Sequence, residues 1–179
     1  KRPRRPLIGM LLHQDGSRHR WIPGQECDHD LIATMDDATS HIYAARLVEE
    51  EGTMSSFSGV RDVVAQHGLF CALYTDRGSH YFETPVAGGK VDKDKPTQFG
   101  RALAQLGIQH IPAYSPEARG RSERMFGTLQ DRLPKELNVQ ATADYAEALR
   151  IRRTCHEMLA VWGGRMPHQC GIVPGGASQ

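Results

Sequence analysis

No run of the chain is apolar over enough residues to cross a bilayer, and its start has no signal-peptide pattern. A membrane partner is therefore not expected, and the predicted location is cytoplasmic, in association with the nucleoid. Cysteine is scarce: Cys27, Cys71, Cys155 and Cys170 are too scattered for a disulfide framework and read as reduced thiols. Grouped with neighbouring histidines (Cys27 with His29; Cys155 and His156 with His168 and Cys170) they fit no strong zinc spacing. An excess of one charge sign is missing too. With a formal net charge of +1 there is no bulk field to attract a polyanion, so such a partner would need local basic patches or domains outside this sequence. Lys1 is not a methionine, and the chain is expected to be a piece of something longer.

What remains is the composition of a soluble globular protein, with 39% hydrophobic and 24% charged residues over 179, enough for one domain with a real core. Lys1-Arg2-Pro3-Arg4-Arg5-Pro6 is a basic, proline-punctuated linker arm (residues 1–6). A continuous apolar run, 7–12, predicts a central strand that ends in His13-Gln14-Asp15-Gly16-Ser17, a carboxylate followed by a turn glycine. Residues 31–35 and 41–48 predict a hairpin around Asp36-Asp37-Ala38-Thr39-Ser40. Phe57, Val60 and Val64 mark one face of a helix over 53–67, and Gly68 stops it. The stretch Leu69-Phe70-Cys71-Ala72-Leu73-Tyr74-Thr75-Asp76-Arg77-Gly78-Ser79 reads as a buried strand closed by a carboxylate and a turn.

A second helix over 97–106 carries Phe99, Ala102, Leu103 and Leu106 at helical spacing, with Thr97 as N-cap and Gly107 as stop; a short strand, 108–111, follows. Residues 84–96 form a polar loop, and 113–120 a second mobile candidate. Met125, Phe126, Leu129 and Leu133 then line a helix that opens near Glu123 and that Pro134 disturbs or ends. The order β-β-β-α-β-α-β followed by helices predicts a mixed sheet with helices against it. Residues 7–140 form this core. Residues 141–179 are expected to hold a helix over 142–149 and a poorly ordered tail.

Three carboxylates stand at the ends of separate elements: Asp15, Asp76 and Glu123. Without a cation they would repel one another; with one, they are the hard oxygen ligands that Mg²⁺ prefers. Two such ions can clamp the attacking and leaving oxygens of a phosphoryl displacement, so no nucleophilic side chain is needed. None is evident: Ser17, Ser79 and Ser122 adjoin acidic residues, but spacing gives them no His–Asp partner. Asp36 rivals Asp15 because both follow apolar runs. With the second and third strands a hairpin and the first and second antiparallel, strands one and four become parallel neighbours. That topology sets Asp15 and Asp76 at one edge of the sheet and Asp36 at the other, where it serves the turn.

Asp15, Thr75-Asp76-Arg77-Gly78-Ser79 and Pro112-Ala113-Tyr114-Ser115-Pro116-Glu117-Ala118-Arg119-Gly120-Arg121-Ser122-Glu123-Arg124 together resemble the catalytic core of DDE transposases and retroviral-type integrases, most nearly that of bacterial insertion-sequence transposases. The resemblance spans residues 7–137 in a consistent element order. It implies an RNase H-like fold with a five-stranded mixed sheet, and DNA strand cleavage and transfer at a two-metal site. Asp15, Asp76 and Glu123 would hold Mg²⁺ or Mn²⁺. It also implies transposon ends and target DNA as partners, a homo-oligomer, and a helix-turn-helix region supplying end recognition. The Asp76–Glu123 interval is longer than in the retroviral branch, by about the polar loop 84–96. One and two turns past Glu123 stand Gly127 and Gln130 where retroviral integrases have DNA-contacting lysines, so Arg119, Arg121 and Arg124 become the basic candidates. Two rivals share this fold: a catalytically inactive, DNA-binding or oligomerising remnant of a transposase, and an RNase H-like nuclease.

Overall fold

The computed structural model describes residues 3–86, 89–92, 94–114 and 116–140. The elements run β1 (Leu12–His19), β2 (His29–Asp36), β3 (Ile42–Val48), α1 (Thr53–His67), β4 (Ala72–Thr75), α2 (Gln98–Gln105), β5 (Gln109–Pro112) and α3 (Pro116–Gln140). They form a five-stranded sheet in the order β3-β2-β1-β4-β5. β1–β2 and β2–β3 are antiparallel, whereas β1–β4 and β4–β5 are parallel. This is the strand arrangement expected from the sequence, and each parallel crossover carries a helix.

The two sheet faces bury different clusters. Leu31, Ala33, Met35 and Ala45 pack with Trp21 and with Phe126, Leu129 and Leu133 of α3. Leu12, Ala44 and Leu73 pack on the other side with Val60 and Val63 of α1 and Phe99 and Leu103 of α2. The molecule is thus a three-layer arrangement, with α3 on one face of the sheet and α1 and α2 on the other. The Thr97 hydroxyl accepts from the amide of Gly100 at 3.1 Å, so the predicted N-cap of α2 is present.

Three expectations need correction. The run 7–12 is not a strand: Leu7 and Ile8 are 65% and 66% exposed, and Gly9 turns the chain with φ 75°. β1 begins at Leu12 and continues through the polar residues to His19, so Asp15 and Gly16 lie inside it. Polar residues persist because β2 pairs with β1 along its whole length, and His13, Gln14 and Ser17 find partners in the folded molecule. Second, α3 starts at Pro116, a residue pre-organised for a first helical turn, and runs past Pro134. Glu123 therefore lies in the helix interior and not in its first turn, and Gly120 is helical. Pro134 removes one backbone donor, yet packing of Phe126, Leu129 and Leu133 holds the helix against the sheet. Third, Cys71 precedes β4 and is exposed. Residues 141–179, where a helix and a loose tail were expected, lie outside the described residues, as do Lys1 and Arg2 of the arm. Its residues 3–6 are exposed.

Candidate active site

Side chains alternate along a strand, so His13, Asp15 and Ser17 share one face of β1. They stand opposite Met35, Ala33 and Leu31 of β2, all members of the cluster beneath α3. Asp15 thus faces the α3 layer, and it is 8% exposed. The parallel pairing of β1 with β4 sets Leu12 against Leu73 and His13 against Tyr74. Continued two residues, the same register brings Asp76 beside Asp15. Asp76 follows directly after β4 and is half-buried, its Oδ1 accepting from the amide of Gly78 at 2.9 Å. The apolar strand, the carboxylate and the turn read from the sequence are all present. The reason Asp15 and Asp76 meet is the sheet order.

Glu123 is exposed, on the α3 layer above. Residues seven apart share a flank of a helix, so Glu123 lies on the same flank as Gln130, whose side-chain amide donates to Ser17 of β1 at 2.8 Å. That flank overlooks β1. The continued register and their common effect on Tyr81 set Asp15 and Asp76 in one neighbourhood, while among the described residues no three His, Cys, Asp or Glu side chains stand close enough to hold a metal ion. The oxygen-only chemistry of Asp15, Asp76 and Glu123 nevertheless suits a hard divalent cation.

Behind the acidic pair, on the α1 side, lies a polar network that the sequence did not suggest. Gln14 is 1% exposed; its amide donates to Thr34 Oγ1 and to the carbonyl of Ser56, each at 3.1 Å. The Tyr81 hydroxyl lies 3.3 Å from Gln14 Oε1 and 3.1 Å from Ser56 Oγ. Burial, together with the charges of Glu51, Asp76 and Asp15, pushes the Tyr81 hydroxyl well above its usual range, so it stays protonated. The Glu51 carboxylate lies against Gly16, where any Cβ would overlap it. Nothing in Glu49-Glu50-Glu51 distinguishes this residue from a solvated acidic run.

The basic candidates take different positions. Arg121 makes an ion pair with Asp37, which is fully buried and also meets His13 Nε2 at 2.8 Å. Arg124 is exposed, and the side chain of Arg119 lies outside the described residues. Arg4 from the N-terminal arm, with Arg121, Arg124 and Arg132 from α3, lines an open cavity of about 580 Å³ floored by Met35, Ile42 and Leu129. Asp36 serves the turn as expected: its Oδ2 accepts from the amide and hydroxyl of Thr39, both at 2.8 Å, and its Oδ1 from the amide of Gly9 at 3.0 Å. The polar loop reaches the site's flank, with Arg77 donating to the carbonyl of Gly89 at 2.5 Å and the Tyr114 hydroxyl accepting from Val91 at 3.3 Å.

Known proteins of two kinds match this chain, over stretches that overlap. It is 38% identical over 141 residues to y4bF of Sinorhizobium fredii, named as a transposase, covering 78% of this chain and 30% of that protein. It is 35% identical over 136 residues to the transposase for insertion sequence IS1202 of Streptococcus pneumoniae, covering 76% of this chain and 29% of that protein. The chain therefore spans about a third of the length of these relatives.

Residues 120–179 match a different family, nickel-dependent hydrogenase. A 42-residue stretch is 55% identical to the periplasmic [NiFeSe] hydrogenase large subunit of Desulfomicrobium baculatum, covering 24% of this chain and 8% of that protein.

Among solved structures, the simian T-cell lymphotropic virus intasome in complex with PP2A regulatory subunit B56 gamma superposes with a TM-score of 0.63 at 19% identity, covering 99% of this chain and 63% of that one. The HTLV-2 integrase catalytic core domain in complex with magnesium, in its dimeric form, gives 0.59 at 14% identity, covering 80% and 83%. The five-stranded sheet and its helices are thus an RNase H-like fold. Over most of its length the chain is similar in sequence to bacterial transposases, and its fold is that of the integrase catalytic cores.

Proposed function

We propose that this chain carries the catalytic core of a DDE transposase, which cleaves DNA strands and transfers them with a divalent metal. The observation that supports this most is the parallel β1–β4 pairing, whose register, continued two residues past Tyr74, would set Asp76 beside Asp15. Asp15, Asp76 and Glu123 would hold Mg²⁺ or Mn²⁺; magnesium accompanies the HTLV-2 core. When bound, such ions activate the attacking oxygen and neutralise the leaving one. Tyr81 keeps its proton and contributes no anion to the site. The exposed Arg124, with Arg119 and the arm, would take phosphates in a salt-dependent way. Transposon ends and target DNA are the proposed partners, in a homo-oligomer, since the HTLV-2 core occurs in dimeric and trimeric forms.

The test is a labelled duplex incubated with Mn²⁺, read for hydrolysis and strand-transfer products. Wild type should give both, and Asp15→Asn and Asp76→Asn neither. Hydrolysis alone would favour a nuclease, and no product an inactive remnant. Metal binding is read separately: Mn²⁺ should raise the melting temperature by mass action, and Asp76→Asn should abolish that rise while leaving the apo fold as firm or firmer.

A second reading concerns the end of the chain, and the hydrogenase match carries it. Residues 7–140 form the integrase-like core, whereas 141–179 derive from a hydrogenase gene that the reading frame has entered. The hydrogenase match begins at residue 120, inside α3, but Ser122, Phe126, Leu129 and Leu133 of that helix are buried in the core, which supports a join beyond Leu133. At 8% of that large subunit's length, the segment gives no ground for hydrogenase chemistry. Genomic DNA amplified across the join should continue into hydrogenase-coding sequence in the same frame. Transposase-coding sequence there would overturn this reading.

A further inference from the structure

The Asp15–Asp76 pair has support from behind. Glu51 lies in the connection between β3 and α1, its amide donating to the buried Asp30 carboxylate at 2.7 Å. The next residue, Gly52, is the N-cap of α1, and its amide donates to Ser55 Oγ at 2.9 Å. The backbone at Glu51 is therefore held on both sides, which aims its carboxylate. One flank of that carboxylate rests on Gly16, the residue after Asp15, where a Cβ would push the carboxylate aside. Its Oε1 lies 3.4 Å from Nε2 of His80.

His80 sits in the turn that follows Asp76. Asp76 Oδ1 accepts from Gly78, and the Gly78 carbonyl accepts from the amides of Tyr81 and Phe82, each at 2.9 Å. The His80 ring lies 4.0 Å from the Tyr81 ring and closes the space beside Gly78. A single carboxylate thus lies against the strand that carries Asp15 and against the His80 ring in the turn that carries Asp76, without a hydrogen bond to that ring.

We propose that Glu51 and His80 are positioning residues, a clamp that fixes the Asp15–Asp76 separation for cation binding. The proposal rests on the metal-binding reading of Asp15 and Asp76. It asks of Glu51 only that it tie two backbone segments together, and of His80 that it transmit the tie to the Asp76 turn. Gly16 belongs to the same device, since a side chain there would displace Glu51.

The test titrates the full chain with Mn²⁺ and follows the melting temperature, beside cleavage of a labelled duplex. Glu51→Ala and His80→Ala should each raise the Mn²⁺ concentration for half the thermal shift about tenfold. The double variant should be no worse than the weaker single one, because both remove the same link. Glu51→Gln, which keeps the bulk that rests on Gly16 and beside His80, should recover most of the affinity, and apo melting temperatures should barely move. If Glu51→Ala does not fold, Glu51→Gln and His80→Ala carry the comparison. Unchanged half-saturation in the single variants, or strictly additive effects in the double one, would overturn the clamp. A metal response that survives Asp76→Asn would overturn the underlying site and the clamp with it. Loss of the response in Asp76→Asn beside an unchanged Glu51→Ala would remove the clamp alone.

Discussion

Asp36 and Asp15 look alike in sequence and differ in every contact. Asp36 is fully buried and spends both oxygens on Gly9 and Thr39. An amide there would present N–H to N–H, so Asp36→Asn should cost about 1–3 kcal/mol in denaturant unfolding and leave the metal-induced shift intact. Asp15→Asn should do the reverse. His110 gives a second residue-scale expectation. Burial among Phe82, Phe99 and Tyr81 pushes its imidazole down to about 4, and its Nε2 meets Thr75 Oγ1 at 3.0 Å. Unfolded, it titrates near 6.5. Between those values the unfolded chain binds a proton that the folded chain refuses, so stability falls as pH drops from about 6.5 towards about 4, and above 6.5 this residue contributes no pH dependence. In His110→Phe the slope of melting temperature against pH should be shallower across that window. An identical slope would show that other groups set it.

At the scale of elements, α3 has two jobs on two flanks. Arg121 anchors it to the buried Asp37, and Arg124 meets solvent. Arg121→Met removes the guanidinium from Asp37, which keeps His13 and the amide of Arg5, and should cost about 3 kcal/mol. Arg124→Ala should stay within about 0.5 kcal/mol in stability and weaken DNA binding instead. Equal stability losses in the two would mean that the helix is not docked through Asp37.

The sequence could say only part of this. Apolar periodicity and caps located α1 and α2, because those helices bury one stripe each. β1 was misplaced since its residues after Leu12 are polar and find partners only in the assembled molecule: Gln14 with Thr34 and Ser56, His13 with Asp37, Ser17 with Gln130. The Asp15–Asp76 approach was legible from topology, as adjacent parallel strands share an edge. Glu51 and His80 were not, because nothing local separates an acid that touches Gly16 from one that faces water.

For the whole molecule, the described core ends with α3, whose last core side chain is Leu133. A chain stopped after Gln140 should keep its melting temperature and its Mn²⁺ response, if 141–179 belong to another gene's product. Loss of folding on that truncation would show that the final segment is part of the domain. The parallel β1–β4 contact also has a kinetic consequence. Two strands, a helix and their loops separate its halves in the chain. The hairpins of β1, β2 and β3 can form from local contacts as the chain emerges, whereas Asp15 meets Asp76 only after that long crossover closes. A nascent or partly folded copy therefore holds its acids apart. The cation site proposed above would therefore assemble only once that crossover has closed, and late folding would act as a safety catch on its chemistry.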